Sequence, residues 1–268
     1  MFDAVILSAA FNGHDFGNVL LRWIHVLAGV LWIGHLYFFN FVNAELAKTY
    51  DADSKKKVVP ELMPRALFWF RWGAAYTWIS GFLLMAMIYI AKPYFDASGT
   101  KAPMPALAAF GILVAMFLVY DRLATGLQKQ PMMALWVWYA LVFLFGLMLR
   151  QIGFFSASDR AVYIFTGMML GTAMAANVWM RIWPAQKRII TAIKNGQAPE
   201  PNDPAMAGMR SKHNTFMSVP LLLLMLSVHT AEMGITFGDP WHWILGMLVV
   251  GYLVTLSLYS TSTKVKGF

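Results

Sequence analysis

The stretch that decides the fold is residues 22–43, RWIHVLAGVLWIGHLYFFNFVN, an apolar run broken by a few polar side chains. A helix of about 20 apolar residues crosses the hydrocarbon layer of a membrane, so this run predicts a membrane-spanning helix. At about 100° per residue, His25, Trp32 and Asn43 fall within about 20° of one line along that helix. Ionisable groups at membrane depth are costly and usually face a bundle interior or a functional site. Function is therefore expected along this polar stripe.

The rest of the chain repeats the apolar pattern. Of its 268 residues, 59% are hydrophobic and 13% are charged, against about 25% charged residues in soluble domains. The predicted fold is all-α: a bundle of about seven membrane-spanning helices that forms a single integral membrane domain over residues 1–268. In the second helix, Gly73, Thr77 and Gly81 line one face and predict close packing against another helix. The predicted membrane-spanning segments are residues 18–44, 66–91, 104–121, 131–150, 160–182, 214–231 and 241–260.

Three connections between these segments have a distinctive composition. Residues 184–195 predict a short amphipathic helix on the membrane surface, with Pro184 in its first turn and Gly196 after its end. Residues 197–208, QAPEPNDPAMAG, lack helical periodicity and predict a proline-rich linker. The connection after the first segment, residues 48–64, also ends in prolines that disfavour a helix.

The net charge of +8 is unevenly distributed. Five lysines and arginines fall on the N-terminal side of the predicted bundle, and the other sixteen of the 21 fall on the opposite side. Because basic residues accumulate on the cytoplasmic side, this asymmetry predicts a multi-pass membrane protein with its N-terminus outside and its C-terminus in the cytoplasm. Orientation and contact with the lipid bilayer account for the basic charge, so a nucleic acid partner is not expected.

The chain contains no cysteine. This excludes disulfides, cysteine-ligated zinc, iron–sulfur clusters and covalently attached c-type haem. A bound metal or haem iron would need histidine, methionine or oxygen ligands. No nucleotide-binding or metalloprotease motif occurs, and the sequence assigns no catalytic residue.

The histidines predict a haem b site. His25 is the expected ligand of the haem iron, because Gly29 one turn later makes room for a flat macrocycle and Arg22 one turn earlier suits a propionate. The second ligand is expected to be His229 or His242, which lie near the same side of the membrane. The alternative is that His25 forms a hydrogen bond with a neighbouring helix. The predicted cofactor-binding residues are Arg22, His25, Gly29, Trp32, His229 and His242.

A small-anion site is the second expectation, in a polar cavity lined either by Arg22, His25 and Asn43 or, nearer the inner face, by Arg71, Asn177 and Arg181. Arg71 has two interpretations: it extends to the membrane surface among Trp69, Trp72 and Tyr76, or it points inward towards an anion. His213, at the start of the sixth segment, is expected to cap that helix at the membrane surface. The predicted substrate-binding residues, all cationic or amide side chains, are Asn43, Arg71, Asn177 and Arg181.

Four separated motifs, in order, resemble one family. They are the opening stretch above, ALFWFRWGAAYTWISG (66–81), NVWMRIWPAQKRII (177–190) and SKHNTFMSVPLLLLM (211–225). Together they resemble the membrane domain of the bacterial cytochrome-linked urate oxidases, the urate oxidase N-terminal family. The resemblance implies oxidation of urate at the bacterial inner (cytoplasmic) membrane, with electrons passed to a c-type cytochrome. The pattern His25…Trp32-x-Gly34 is also similar to the opening helix of the membrane protoporphyrinogen oxidases, which bind haem b.

The chain departs from the familiar arrangement of this family in one respect. It ends at TKVKGF without the cysteines of a fused cytochrome c domain. The expected electron acceptor is therefore a separate c-type cytochrome. The alternative function is a non-catalytic membrane subunit, acting as a scaffold or haem-bearing partner within a larger respiratory or photosynthetic complex. A transporter is less favoured, because no inverted repeat occurs.

Overall fold

The computed structural model describes residues 13–91, 103–151, 159–232 and 240–265. This part of the chain forms seven continuous helices and contains no strand, so the all-α prediction is confirmed. The fifth continuous helix consists of two α-helical parts, α5 and α6, joined by a π-helical turn. The α-helices are α1 (Gly13–Tyr37), α2 (Ala52–Met85), α3 (Pro103–Gly126), α4 (Pro131–Gln151), α5 (Asp159–Ala176), α6 (Trp183–Lys194), α7 (Asn202–Glu232) and α8 (Pro240–Ser262).

Within the described residues, three helices contain a π-helical turn, in which the backbone hydrogen bonds span five residues rather than four. These turns cover Phe38–Asn43 after α1, Ala86–Ala91 after α2 and Asn177–Ile182 between α5 and α6. After the first of them the helix continues through Ala44–Leu46 and a 3₁₀ turn, Ala47–Thr49. Such turns often occur at functional sites, and the third contains two of the predicted substrate-binding residues.

Six of the continuous helices are long and apolar enough to cross a membrane. They are Gly13–Thr49, Ala52–Ala91, Ala106–Gly126, Pro131–Gln151, Asp159–Lys194 and Trp241–Ser262. The remaining helix, α7, has 31 residues and carries the polar run Arg210–Asn214 in its first half. The lengths and composition agree with the predicted multi-pass membrane protein.

Successive helices run antiparallel, as the contacts between α1 and α2 illustrate. His25 of α1 contacts Thr77 of α2, whereas Asn43, further along α1, contacts Met63, which lies earlier in α2. Because the helices alternate in direction, every second connection lies at the same end of the bundle. The connections with many lysines and arginines nearby share one end, which we call the basic end. The connections at the basic end are residues 50–51, 127–130 and 195–201.

Small residues allow α1 and α2 to pack closely. A Cβ atom on Gly73 would lie 2.9 Å from the Trp32 backbone nitrogen and 3.2 Å from the Ala28 carbonyl oxygen. A Cβ atom on Gly81 would lie 3.0 Å from Cε1 of His25, so this glycine makes room for the imidazole ring. The predicted packing face of α2 is therefore confirmed at both glycines.

The contact between α7 and α8 gives a testable prediction. A Cβ atom on Gly251 would lie 2.6 Å from Cδ and 2.8 Å from the nitrogen of Pro220. We expect Gly251→Ala to lower the midpoint of thermal unfolding of the detergent-purified protein, because overpacking costs about 1–3 kcal/mol. Alanine recovers at most about 1 kcal/mol of this through its higher helix propensity.

Gly246→Ala is the matched control in the same helix. Nothing lies within 4 Å of a Cβ atom at Gly246, so this substitution should leave the midpoint unchanged or raise it. If Gly251→Ala unfolded at the same temperature as Gly246→Ala, the close contact with Pro220 would be refuted.

The connection before α2 is helical, contrary to the prediction. The helix begins at Ala52 and contains Pro60 and Pro64. Asp51 caps it: Oδ1 accepts a hydrogen bond of 2.7 Å from the backbone N–H of Ser54, which holds the pKa of the Asp51 carboxyl below its usual range. The prolines leave the carbonyl groups of Lys56 and Pro60 without a helical partner; Lys56 is exposed and Pro60 is half-buried, so neither lies in the core. The cap at Asp51 therefore outweighs the two prolines, which had predicted a non-helical connection.

The linker before α7 is also partly helical, because α7 begins at Asn202, within the predicted linker. Pro204 lies in the first turn, where backbone N–H groups have no helical partner in any case. Asp203 accepts hydrogen bonds of 2.5 and 2.8 Å from Arg188 of α6. This contact between helices, which periodicity does not reveal, stabilises the start of α7.

The predicted amphipathic helix near residues 184–195 is confirmed as α6, and its apolar face packs against protein. Ala185, Ile189 and Ile193 are buried, and α6 contacts both α2 and α7. Gly196, with φ of +72°, follows its end in the left-handed conformation. The prediction placed this apolar face against the membrane surface. In the structure the same face packs against neighbouring helices of the bundle.

Candidate functional site

A polar cluster lies at the basic end of the bundle, between α3, the π-helical turn after α5, and α7. All of its members except Arg181 are buried, and Arg210 is among the largest fully buried side chains of the described residues. Buried charges are costly unless they are paired and hydrogen-bonded. We call this set the arginine cluster, and its members are Tyr120, Asp121, Asn177, Arg181, Arg210, His213 and Asn214.

Asp121 is shared by two arginines. Its Oδ1 accepts hydrogen bonds of 2.9 Å from both Nε of Arg181 and Nη2 of Arg210. Its Oδ2 accepts a further bond from Nη2 of Arg181, so that pair is bidentate. Two guanidinium groups therefore surround one carboxylate, which leaves the cluster with one excess positive charge.

Arg210 is held from several sides. Its Nη1 donates to Oδ1 of Asn177 at 3.2 Å, and its Nη2 also donates to Oγ1 of Thr125 at 3.0 Å. Its Nε is buried and has no hydrogen-bond partner among the described residues. One donor of this fixed cation is thus left without an acceptor from the described residues.

A chain of hydrogen bonds extends from Asn177 to the connection between α3 and α4. The Asn177 amide donates to the Tyr120 hydroxyl at 3.0 Å and to Oδ1 of Asn214 at 2.8 Å. The Tyr120 hydroxyl lies 3.0 Å from Nδ1 of His213, and Nε2 of His213 lies 2.8 Å from the Pro131 carbonyl oxygen. Since a carbonyl oxygen only accepts, Nε2 carries a hydrogen; in the neutral ring, Nδ1 then accepts from the Tyr120 hydroxyl.

The structure brings two of the four predicted substrate-binding residues together, Asn177 and Arg181. They lie one turn apart on the side of the π-helical turn that faces α3 and α7. Arg71 lies elsewhere, with Cζ 3.9 Å from the centre of the Trp183 ring. Asn43 contacts α2, where its amide is 3.8 Å from a methionine sulfur atom.

Asp121 and Arg210 were not predicted as site residues, and the prediction for His213 was wrong, because His213 is fully buried and does not cap a helix at the surface. A signal for these residues was present. Arg210, His213 and Asn214 recur at spacings of three and four residues, so they share one helix face. Asp121 is the last residue of the predicted segment 104–121, an acidic side chain at the end of an apolar run.

His25 lies towards the opposite end of the bundle. Its Nδ1 is 2.9 Å from the Thr77 carbonyl oxygen and 3.1 Å from Oγ of Ser80. The carbonyl oxygen can only accept, so Nδ1 carries a hydrogen, and in the neutral ring Nε2 has a free lone pair. Metal-bound imidazoles are oriented by such a bond to a backbone carbonyl, so His25 fits the part of a haem ligand. The hydrogen bond to a neighbouring helix, which was the alternative, is also present.

The other predicted haem-binding residues have different surroundings. Nε of Arg22 donates a 2.6 Å hydrogen bond to Oδ1 of Asn18 in its own helix. A Cβ atom on Gly29 would lie 4.0 Å from Thr77. Trp32 is buried, and its indole nitrogen has no hydrogen-bond partner among the described residues. His242 is exposed in the first turn of α8. The His229 side chain lies outside the described residues.

These features define the class of protein: a multi-pass membrane bundle of helices that encloses a charged, hydrogen-bonded cluster. A family model described as urate oxidase N-terminal matches residues 12–58 and 50–266, which is most of the chain. The chain belongs to the urate oxidase N-terminal family, and the resemblance carried by its motifs is confirmed. No curated protein and no solved structure matches the chain.

Proposed function

We propose that this protein oxidises urate, or a related small anion, at the bacterial inner membrane and passes the electrons to a separate c-type cytochrome. The family match carries the proposal. The arginine cluster adds a chemically suitable binding place, because urate is a flat anion at neutral pH and guanidinium groups bind planar anions through paired hydrogen bonds.

Arg181 is the proposed first contact of the substrate. Its side chain is 42% exposed, whereas the side chains of Arg210 and Asp121 are 1% and 12% exposed. Arg181 is therefore the cation of the cluster that a dissolved anion can reach. The excess positive charge favours binding of a monoanion.

Haem b is the proposed cofactor, with His25 as a ligand of the iron. When bound, haem b supplies one-electron redox chemistry that amino-acid side chains do not offer. The contribution of the chain itself is the bond from Nδ1 of His25 to the Thr77 carbonyl, which orients the ring. With the N-terminus outside, the arginine cluster faces the cytoplasm, and His25 lies nearer the side where a soluble c-type cytochrome would bind.

Urate-dependent reduction of an added c-type cytochrome by the purified protein tests this function. Oxidation of urate with addition of water releases two electrons, so two cytochromes should be reduced for each urate consumed. Isolation within a larger complex, without any urate-dependent reduction, would instead support the alternative of a non-catalytic membrane subunit.

The haem assignment has its own test. We expect His25→Ala to lose the haem b absorbance band of the purified protein, because the substitution removes the nitrogen ligand of the iron. His35→Ala is the matched control in the same helix, since Nδ1 of His35 bonds the Leu31 carbonyl of its own helix at 2.7 Å. Loss of the band in both variants, or in neither, would contradict the assignment of His25.

A further inference from the structure

We propose that Arg71 and the aromatic side chains around it form a binding site for the phosphate group of an anionic phospholipid at the basic end of the bundle. The site is separate from the arginine cluster. Trp179, on the same π-helical turn as Arg181, contacts Arg71 of α2, whereas Arg181 contacts Asp121 of α3. The proposal is therefore independent of urate oxidation.

Aromatic rings hold the Arg71 guanidinium group in place. Its Cζ lies 3.9 Å from the centre of the Trp183 ring, 5.9 Å from that of Trp179 and 5.8 Å from that of Phe68. The Trp179 indole also donates a 3.0 Å hydrogen bond to the Arg71 carbonyl oxygen, which fixes the backbone. Stacking on aromatic rings orients a guanidinium group without using its N–H donors. Those donors stay available to a ligand.

Arg71 has no hydrogen-bond acceptor and no carboxylate partner for its side chain among the described residues, and its Nε is buried. Arg181, Arg188 and Arg210 provide the contrast, since each of them pairs with an aspartate. A buried donor without a partner is costly, and a cation in that position favours an anion. A phosphate oxygen would supply both the acceptor and the negative charge.

The neighbouring side chains favour a lipid as the source of that phosphate. Phe68, Trp69 and Trp72 are exposed on α2 and form an aromatic belt of the kind that lies at the level of the lipid headgroups. Lys187, exposed one turn after Trp183 on the same face of α6, adds a second positive charge towards the basic end. Basic pockets between helices on the cytoplasmic side bind anionic headgroups.

Native mass spectrometry of the detergent-purified protein tests the site by titration with phosphatidylglycerol, phosphatidylcholine or inorganic phosphate. Both lipids carry the phosphate, but the choline cation of phosphatidylcholine cancels its charge. We therefore expect wild-type protein to bind one phosphatidylglycerol about tenfold more tightly than phosphatidylcholine, and Arg71→Gln to lose that difference. Arg65→Gln is the matched control, because Arg65 is exposed on the same helix and pairs with Glu61 of its own helix. It should bind phosphatidylglycerol as the wild type does.

Three results would overturn the proposal. The first is equal affinity of the wild type for the two lipids, which needs no variant. The second is unchanged affinity in folded Arg71→Gln. The third is binding of inorganic phosphate as tight as that of phosphatidylglycerol, which would indicate a soluble anion as the ligand. If Arg71→Gln does not fold, Lys187→Gln replaces it, with an expected loss of about fivefold in affinity for phosphatidylglycerol.

Discussion

The Asp121→Asn variant is expected to lose a large part of the stability of the folded bundle. Asp121 is the only carboxylate in the arginine cluster, and it pairs with buried Arg210 as well as with Arg181. Removing one partner of a buried ion pair leaves an uncompensated charge and costs about 3–5 kcal/mol. Folded proteins are stable by about 5–15 kcal/mol in total. Asparagine keeps the shape of the side chain, so the loss would report charge rather than volume.

The midpoint of thermal unfolding and the yield of monodisperse protein in detergent would measure this effect. Glu61→Gln provides the control, because Glu61 pairs with Arg65 at the surface, where both side chains are 72% exposed. Exposed pairs contribute about 0–1 kcal/mol, so this variant should unfold close to the wild type. If Asp121→Asn unfolded at the same temperature as Glu61→Gln, the charge of Arg210 would have to be compensated by other groups.

Arg181→Gln is expected to have the largest effect on activity under the proposed function. The substitution removes the exposed cation and the excess charge of the cluster, so we expect the KM for urate to rise about tenfold to hundredfold. Asp121 and Arg210 would remain as a one-to-one pair at 2.9 Å, so the fold should be kept. The rate of cytochrome reduction over a range of urate concentrations separates KM from kcat.

Two further variants sharpen this prediction. Arg181→Lys keeps the charge but cannot form a bidentate pair, so its KM should lie between those of the wild type and Arg181→Gln. Arg65→Gln makes the same change of charge outside the cluster and should leave KM unchanged. A wild-type KM in folded Arg181→Gln would show that urate does not bind at the arginine cluster.

Most of the helical organisation could be predicted from the sequence, because length and hydrophobicity decide which segments enter a membrane. The predictions that were wrong concern the polar connections between the apolar segments, which were expected to be non-helical. There, α2 begins at the cap formed by Asp51, and α7 begins beside the contact between Arg188 and Asp203. A cap can outweigh nearby prolines, and a contact between two helices is invisible to periodicity.

The candidate site was only partly predictable for a related reason. Asn177 and Arg181 could be proposed because they interrupt an apolar segment. Their partners, Asp121 and Arg210, come from helices distant in sequence, and nothing in one sequence shows which helices are neighbours. The acceptor for His25 is a backbone carbonyl oxygen, that of Thr77, which leaves no trace in the choice of side chains.

The π-helical turn between α5 and α6 has a geometric consequence for both proposed sites. A turn of this kind accommodates one more residue than a regular α-helical turn, so everything after it is rotated by about 100° relative to an uninterrupted helix. Within the turn, Trp179 and Arg181 lie two residues apart and contact different neighbours, α2 and α3. One continuous helix thereby contributes side chains to both proposed sites, on two of its sides.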